Sequence, residues 1–268
     1  MCRDLDRQAP LRAVGARTYL AWTLASLGRF PEALSHAEQA LSMAERDGRP
    51  YSLTAALAGL GVCHLVKGNL NDAIPLLERG LTLVQSWNLM DWLEHFAWAL
   101  GSAYLLSGRL AEGLTLLEEE AQRQAASNSG MISTYSLVLA QLGEGYLLAG
   151  RSAEALQCAR LALDRSRERK ERAYEARVLR VLGQVAAHED PPEAEQAVRY
   201  LRQALALASE LGMRPLVAHC HLDLARAYWR LGMRSQGEEC LTSARSMYRE
   251  MEMGFWLAQT EAALMEAG

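Results

Sequence analysis

The side chains best suited to metal chemistry form one short run, His219, Cys220 and His221. Imidazole and thiolate groups are the usual zinc ligands, so this run is the natural first candidate for a site. On a helix, however, residues two apart point about 200° away from each other, and the two imidazoles cannot bind the same ion. The run therefore predicts packing residues of a helix, and we expect no metal site.

Motifs for catalysis and nucleotide binding are missing from the sequence. There is no G-x-x-x-x-G-K-[ST] phosphate loop, no G-x-G-x-x-G turn, no G-x-S-x-G elbow and no H-E-x-x-H zinc motif. The acidic run 118–120 and the mixed-charge run 165–172 have the pattern of solvated helix faces with intrahelical ion pairs. We therefore predict a protein that is not an enzyme and that has no cofactor.

Charge and cysteine content narrow the class of protein further. The 28 Lys and Arg residues against 32 Asp and Glu residues leave a net charge of −4, too balanced for a nucleic-acid or membrane-surface binder. Five scattered cysteines without a C-x-x-C pair argue against a disulfide framework. The N-terminus lacks the regions of a signal peptide, and no stretch approaches about 18 uninterrupted apolar residues. We expect a cytoplasmic protein without a nucleic-acid or membrane partner.

The elements that carry the candidate side chains repeat along the whole chain. Each unit has a turn, which begins with glycine in five copies, and a small residue five positions after that glycine. The small residues are Ala33, Ala73, Gly113, Ala155, Ala197 and Gly237, at spacings of 40, 40, 42, 42 and 40 residues. Regular spacing of this length indicates a repeat architecture.

Each repeat has the composition of an antiparallel helical hairpin. Leu, Ala, Glu and Arg are abundant and favour helices, and small residues allow two helices to approach closely. Glycine can end the first helix in a left-handed conformation. We predict an all-α fold, a right-handed α-α superhelix of about six hairpins in a single domain. The predicted hairpins cover residues 12–48, 51–88, 91–128, 131–170, 172–211 and 215–253, and a capping helix covers residues 254–267.

The pattern Leu-Gly-x-x-Tyr, with a small residue twelve positions after the glycine, resembles the tetratricopeptide repeat. Gly101 with Gly113 and Gly143 with Ala155 keep that offset. The period of 40–42 residues departs from the family's usual unit of about 34. Long repeats of this kind resemble those of large bacterial regulators, such as ATPase-coupled transcription activators and multidomain nucleotide cyclases. The resemblance implies a regulatory part of a signalling protein, and a helix that begins near Arg12 suggests truncation or an upstream domain.

The same resemblance implies that the first helices line a concave groove that binds a segment of a protein partner. Arginine and tryptophan are frequent interface anchors, and the arginines favour an acidic partner segment. Charge reversal at Arg180 and Arg226 is then expected to abolish binding without unfolding. The groove residues carried over from the family's register are Trp22, Trp98, Arg177, Arg180, Gln184, His219, Arg226, Trp229 and Arg230.

Two other interpretations of the groove stay open from the sequence. In one, the groove binds a small molecule or a signalling peptide as the effector of a transcription regulator. A small-molecule site needs a closed pocket, whereas a protein partner needs an open, anchored surface. In the other, the groove is a solvated surface whose tryptophans only pack between repeats. Self-association also stays open.

Overall fold

A computed structural model describes residues 2–126, 134–188 and 193–267. These residues form thirteen α-helices and one short 3-10 helix, and they contain no β-strand. None of the described helices is both long and apolar enough to cross a membrane. The chain divides into two compact units, unit 1 over Met1–Arg109 and unit 2 over Leu110–Gly268. The prediction of an all-α chain of consecutive hairpin helices is confirmed.

Unit 1 contains the first helices of three hairpins, α1, α3 and α5, which pack on one another in sequence. The second helix α2 packs on both α1 and α3, and α4 packs on both α3 and α5. Helix α1 begins at Cys2 and continues through Pro10, so the expected start near Arg12 is wrong. The elements are α1 (Cys2–Ser26), α2 (Phe30–Asp47), α3 (Pro50–Lys67), α4 (Leu70–Ser86), the 3-10 helix (Met90–Trp92) and α5 (Leu93–Leu106).

Unit 2 repeats this layering. The first helices α7, α9, α11 and the final helix α13 pack on one another in sequence, and the second helices α8, α10 and α12 each pack on two of them. Helix α13 thus takes the place of a further first helix, with Thr260 buried and Glu261 exposed. The elements are α6 (Leu110–Ala126), α7 (Tyr135–Leu148), α8 (Ser152–Glu168), α9 (Arg172–His188), α10 (Ala194–Glu210), α11 (Arg214–Arg230), α12 (Arg234–Glu250) and α13 (Gly254–Ala267).

Glycine acts at two kinds of position in the hairpins. Gly68 ends α3 at a φ of +93°, and its N–H donates to the carbonyls of His64 and Leu65. Only glycine adopts this left-handed conformation without a steric cost. Gly61 lies where α3 meets α4, and a Cβ atom there would come within 2.7 Å of Leu77 Cδ2. The close helix approach therefore depends on the small residue that the repeat supplies.

The tyrosine of the Leu-Gly-x-x-Tyr pattern joins one repeat to the next. The Tyr104 hydroxyl donates to Glu78 Oε1 over 2.7 Å, and Arg109 donates to the same oxygen over 3.1 Å while its guanidinium stacks 3.8 Å from the tyrosine ring. In unit 2, Tyr146 donates to Glu118 Oε1 over 2.8 Å in the same way. The tyrosines therefore do more than fill space, because each bonds a second helix of the preceding repeat.

Candidate functional site

Five charged side chains gather on the first-helix face of unit 2, the surface formed by α7, α9 and α11. They are Glu144 from α7, Arg177 and Arg180 from α9, and Asp223 and Arg226 from α11, and we call them the charge cluster. Arg177 and Arg180 are three residues apart on one helix and so share a side of it. Three guanidinium groups against two carboxylates leave one excess positive charge.

Arg180 is held by both carboxylates of the charge cluster. Its Nε donates to Asp223 Oδ2 over 2.6 Å and its Nη1 donates to Glu144 Oε1 over 2.8 Å. Gln184 also donates to Asp223 Oδ2, over 2.9 Å. Burial by itself lowers the pKa of Arg180, but the two carboxylates outweigh it, so the net pKa is raised. Arg180 therefore links α7, α9 and α11.

This arrangement corrects the expectation that charge reversal at Arg180 leaves the fold intact. The Arg180 side chain is 14% exposed and that of Asp223 is 6% exposed. A glutamate at position 180 would face Asp223 and Glu144 in place of the cation that bonds both of them, and buried like charges without that partner are strongly destabilising. Substitution at Arg180 thus perturbs the fold before it can report on a partner.

Arg177 is the guanidinium of the charge cluster without an ion-pair partner. No described residue accepts a hydrogen bond from its side chain or pairs with it. Burial lowers the pKa of Arg177, and the electrostatic effects of Tyr174 and Glu144 offset only part of this. A partly desolvated cation without a counter-ion is unfavourable, so Arg177 is the group in the cluster best placed to bind an added anion.

Arg226 and Arg230 lie one turn apart along α11. Arg226 Nη1 is 3.8 Å from Asp223 Oδ1, and its buried Nε has no hydrogen-bond acceptor among the described residues. Arg230 is exposed and donates to the backbone carbonyl of Ala187 in α9. The four predicted arginines therefore differ in their contacts. Arg180 bonds two carboxylates and Arg226 lies near one of them. Arg230 bonds a backbone carbonyl, and Arg177 has no ion-pair partner among the described residues.

His219 lies beside the charge cluster as a neutral imidazole. Its Nδ1 is 2.6 Å from the Tyr248 hydroxyl oxygen, and its ring centroid is 4.3 Å from that of Trp256 in α13. Burial, followed by the positive charges of Arg180 and Arg177, lowers its pKa well below the ordinary value. Within the described parts of the chain, no three His, Cys, Asp or Glu residues could hold a metal ion together.

Trp229 packs inside its own hairpin. A Cβ atom at Gly237 of α12 would lie 2.3 Å from Trp229 Nε1, so the indole covers that glycine. This is a packing role, but it lies within one hairpin, whereas the alternative described above has the tryptophans packing between repeats. The sequence supports both roles at this position, because an indole at helical spacing serves packing and binding equally well.

Trp22 and Trp98 lie in unit 1. Trp22 donates its Nε1 hydrogen to the Ala58 carbonyl over 3.3 Å and belongs to an aromatic cluster with Trp92 and His95, at ring-centroid distances of 6.5 and 5.1 Å. Trp98, on α5, is partly buried. Burial lowers the pKa of His95 to about 4. The two indoles that were predicted with the arginines therefore belong to a different unit from them.

Asp223 lies outside the set of groove residues predicted from the sequence. The register carried over from the family skips this position, which lies between Leu222 and Leu224 on a helix face that is otherwise buried. An acidic residue between two core leucines was the available signal, because a buried carboxylate needs a cation nearby. Together, Asp223 and Glu144 cancel two of the four positive charges that the predicted arginines alone would give.

Paired helices with small residues at their crossings, stacked by nearest-neighbour contacts, define an α-helical repeat protein. Residues 15–86 match one model of the tetratricopeptide repeat, and residues 95–119, 136–160 and 218–241 match a second. Together these matches cover more than half of the sequence, and the chain belongs to the tetratricopeptide-repeat family. No curated protein sequence matches the chain significantly.

Solved structures of two Rap proteins and of a signal transduction ATPase share the fold. The Rap conjugation gene regulator of plasmid pLS20, in complex with the Phr* peptide, has a TM-score of 0.72 at 14% identity, over 90% of this chain and 63% of that one. A Rap protein complexed with Competence and Sporulation Factor has a TM-score of 0.68 at 11% identity, over 92% and 79%. A signal transduction ATPase from Pyrococcus horikoshii with a tetratricopeptide-repeat sensor has a TM-score of 0.57 at 14% identity, over 92% and 38%. The chain thus spans less than two thirds of the first and third of these proteins, and the likeness shows the fold alone.

Proposed function

We propose that this protein is a non-catalytic interaction module of a signalling regulator, and that the first-helix face of unit 2 binds a partner segment with an acidic side chain at Arg177. The tetratricopeptide repeat is a protein-interaction scaffold, which supports the general role. The observation that carries the site is the Arg177 guanidinium, partly buried and without a carboxylate partner among the described residues.

The physical argument is that a carboxylate would satisfy Arg177 better than water does at a partly buried position. A guanidinium binds a carboxylate through two parallel hydrogen bonds, and charge-assisted bonds of this kind contribute roughly 1.5–3 kcal/mol. The excess positive charge of the charge cluster also attracts an anion electrostatically.

A signalling peptide is the second candidate for the occupant of this face. Two structures with the same fold were solved with a bound factor, the Phr* peptide in one and Competence and Sporulation Factor in the other. A free peptide and an extended segment of a protein partner present the same backbone and side chains to the surface. A signalling peptide would therefore bind the same site as the protein segment, and it would act as an effector in place of a protein partner.

The test selects peptides from an unbiased display library on the immobilised full chain. We expect enrichment of sequences with Asp or Glu, and for the best of them we expect Arg177→Gln to weaken binding about tenfold or more, since a charge-assisted pair is lost. Arg160→Gln is the matched control, because Arg160 is an exposed arginine of the second helix α8. Enriched peptides without acidic residues, or equal losses in the two variants, would contradict the proposal.

A further inference from the structure

We infer that Glu144 is an internal competitor for the partner's carboxylate: it occupies Arg180 in the free protein and is displaced when an acidic group binds beside Arg177. This inference rests on the proposed function and adds the residue that sets affinity at the same site. It also makes the contact between α7 and α9 dependent on whether the site is occupied.

The two carboxylates that hold Arg180 are not equivalent. Asp223 is 6% exposed, takes hydrogen bonds from Arg180 and Gln184, and has Arg226 at 3.8 Å. Glu144 is 24% exposed, and its recorded bond is the one from Arg180 Nη1. Glu144 can therefore turn into solvent and lose only a partly exposed ion pair, whereas Asp223 is held by more bonds at a more buried position.

The position of Arg177 makes the competition direct. It shares a side of α9 with Arg180, three residues away, and the Glu144 carboxylate acts electrostatically on its guanidinium. An incoming carboxylate at Arg177 would approach both the Glu144 carboxylate, which repels it, and Arg180 Nη1, which attracts it. Both effects favour exchange of Glu144 for the ligand.

The experiment uses the full chain and a defined probe, a fluorescein-labelled peptide of alternating Gly and Glu with both ends blocked. Fluorescence anisotropy at low salt compares the wild type with Glu144→Gln, which keeps an acceptor for Arg180 but removes the competing charge. We expect the variant to bind the probe about tenfold more tightly, the size expected for one nearby like charge at a partly exposed site.

Glu154→Gln is the matched control, because Glu154 pairs with Arg151 over 2.9 Å on the second helix α8 and carries the same charge. This control should change the affinity by less than about twofold, as expected for an exposed pair. Equal gains in probe affinity for the two variants would show that only the net charge of the protein matters, and they would overturn the inference. Absence of probe binding to both the wild type and Glu144→Gln would overturn it as well.

A second measurement needs no variant at position 144. In ¹⁵N-labelled wild-type protein, the Nε–Hε signal of Arg177 and the Nη–Hη signals of Arg180 should both shift during titration with the probe. Arg180 Nη1 exchanges Glu144 for the incoming carboxylate, whereas its Nε stays bonded to Asp223. A shift of Arg177 alone would overturn the inference while leaving the proposed function intact. Binding that persists unchanged in Arg177→Gln would instead contradict the proposed function.

Discussion

Replacement of Arg180 by methionine is the sharpest test of how unit 2 is held together. The substitution keeps an unbranched side chain and removes the donors that bind Asp223 and Glu144 over 2.6 and 2.8 Å. Glu144, 24% exposed, can turn toward water after the loss. Asp223, 6% exposed, is left as a buried carboxylate whose remaining hydrogen bond comes from Gln184.

The expected loss follows from the burial of these groups. Removal of one partner from a buried ion pair costs roughly 3–5 kcal/mol, because the other charge stays desolvated. The bond from Gln184 and the proximity of Arg226, at 3.8 Å, place this case at the lower end, about 3 kcal/mol. With a urea m-value of about 3 kcal/mol per M, the unfolding midpoint should fall by about 1 M.

Urea unfolding followed by circular dichroism measures this shift, with Arg172→Met as the matched control. Arg172 pairs with Glu210 over 2.6 Å, but both side chains are at least half exposed, so its loss should cost less than about 1 kcal/mol. The double variant Arg180→Met with Asp223→Asn should recover at least about 1 kcal/mol relative to Arg180→Met, since the buried carboxylate of Asp223 is then replaced by a neutral amide. If Arg180→Met costs no more than the control, the charge cluster is not a structural link and the reasoning fails.

Three further substitutions test other parts of the structure. Burial lowers the pKa of His95 to about 4 from an ordinary value of 6.5, so the unfolded chain binds more protons between these values and the free energy of unfolding falls as the pH decreases. His95→Phe should therefore flatten the pH dependence over this window by on the order of 1–3 kcal/mol, and urea titrations that stay parallel to the wild type would refute the buried neutral imidazole. Gly80→Ala would place a Cβ atom 2.0 Å from Phe96 Cε1, and thermal unfolding should show a loss of about 1–3 kcal/mol; a tolerated alanine would contradict the packing of α4 on α5. Gly15→Ala should instead stabilise α1 by about 0.5–1 kcal/mol, because the added Cβ atom would have no neighbour within 4 Å apart from the backbone of its own helix. A destabilised variant would contradict this open environment.

The repeated spacing of small residues was sufficient to predict the hairpins and their order. Close helix packing needs a small residue at each crossing, as Gly61 shows against Leu77, and that requirement is local enough to appear in the sequence as a period. The same period could not show that Tyr104 bonds Glu78, because the two residues are 26 positions apart and many acids on the second helix were available. The tyrosine position was visible, but its partner was not.

The candidate site was predictable only in part. The family register predicts one groove for Arg177, Arg180 and Arg226, which lie on α9 and α11, and it treats them as equivalent cations. Their difference comes from Asp223, which the register omits, and from burial, which a sequence position does not specify. Whether these residues bind a partner stays a prediction that the peptide experiments address.

By itself, the sequence determined the helical hairpins, their number and order, and the family, because these depend on local composition and on a period along the chain. Only the tertiary structure decided which arginine is held and which has no counter-ion among the described residues. Arg180 is paired and Arg177 is not because carboxylates from α7 and α11 reach one guanidinium and not its neighbour on α9. The strength of such a pair depends on distance and desolvation, and both are properties of the packed helices rather than of the residues.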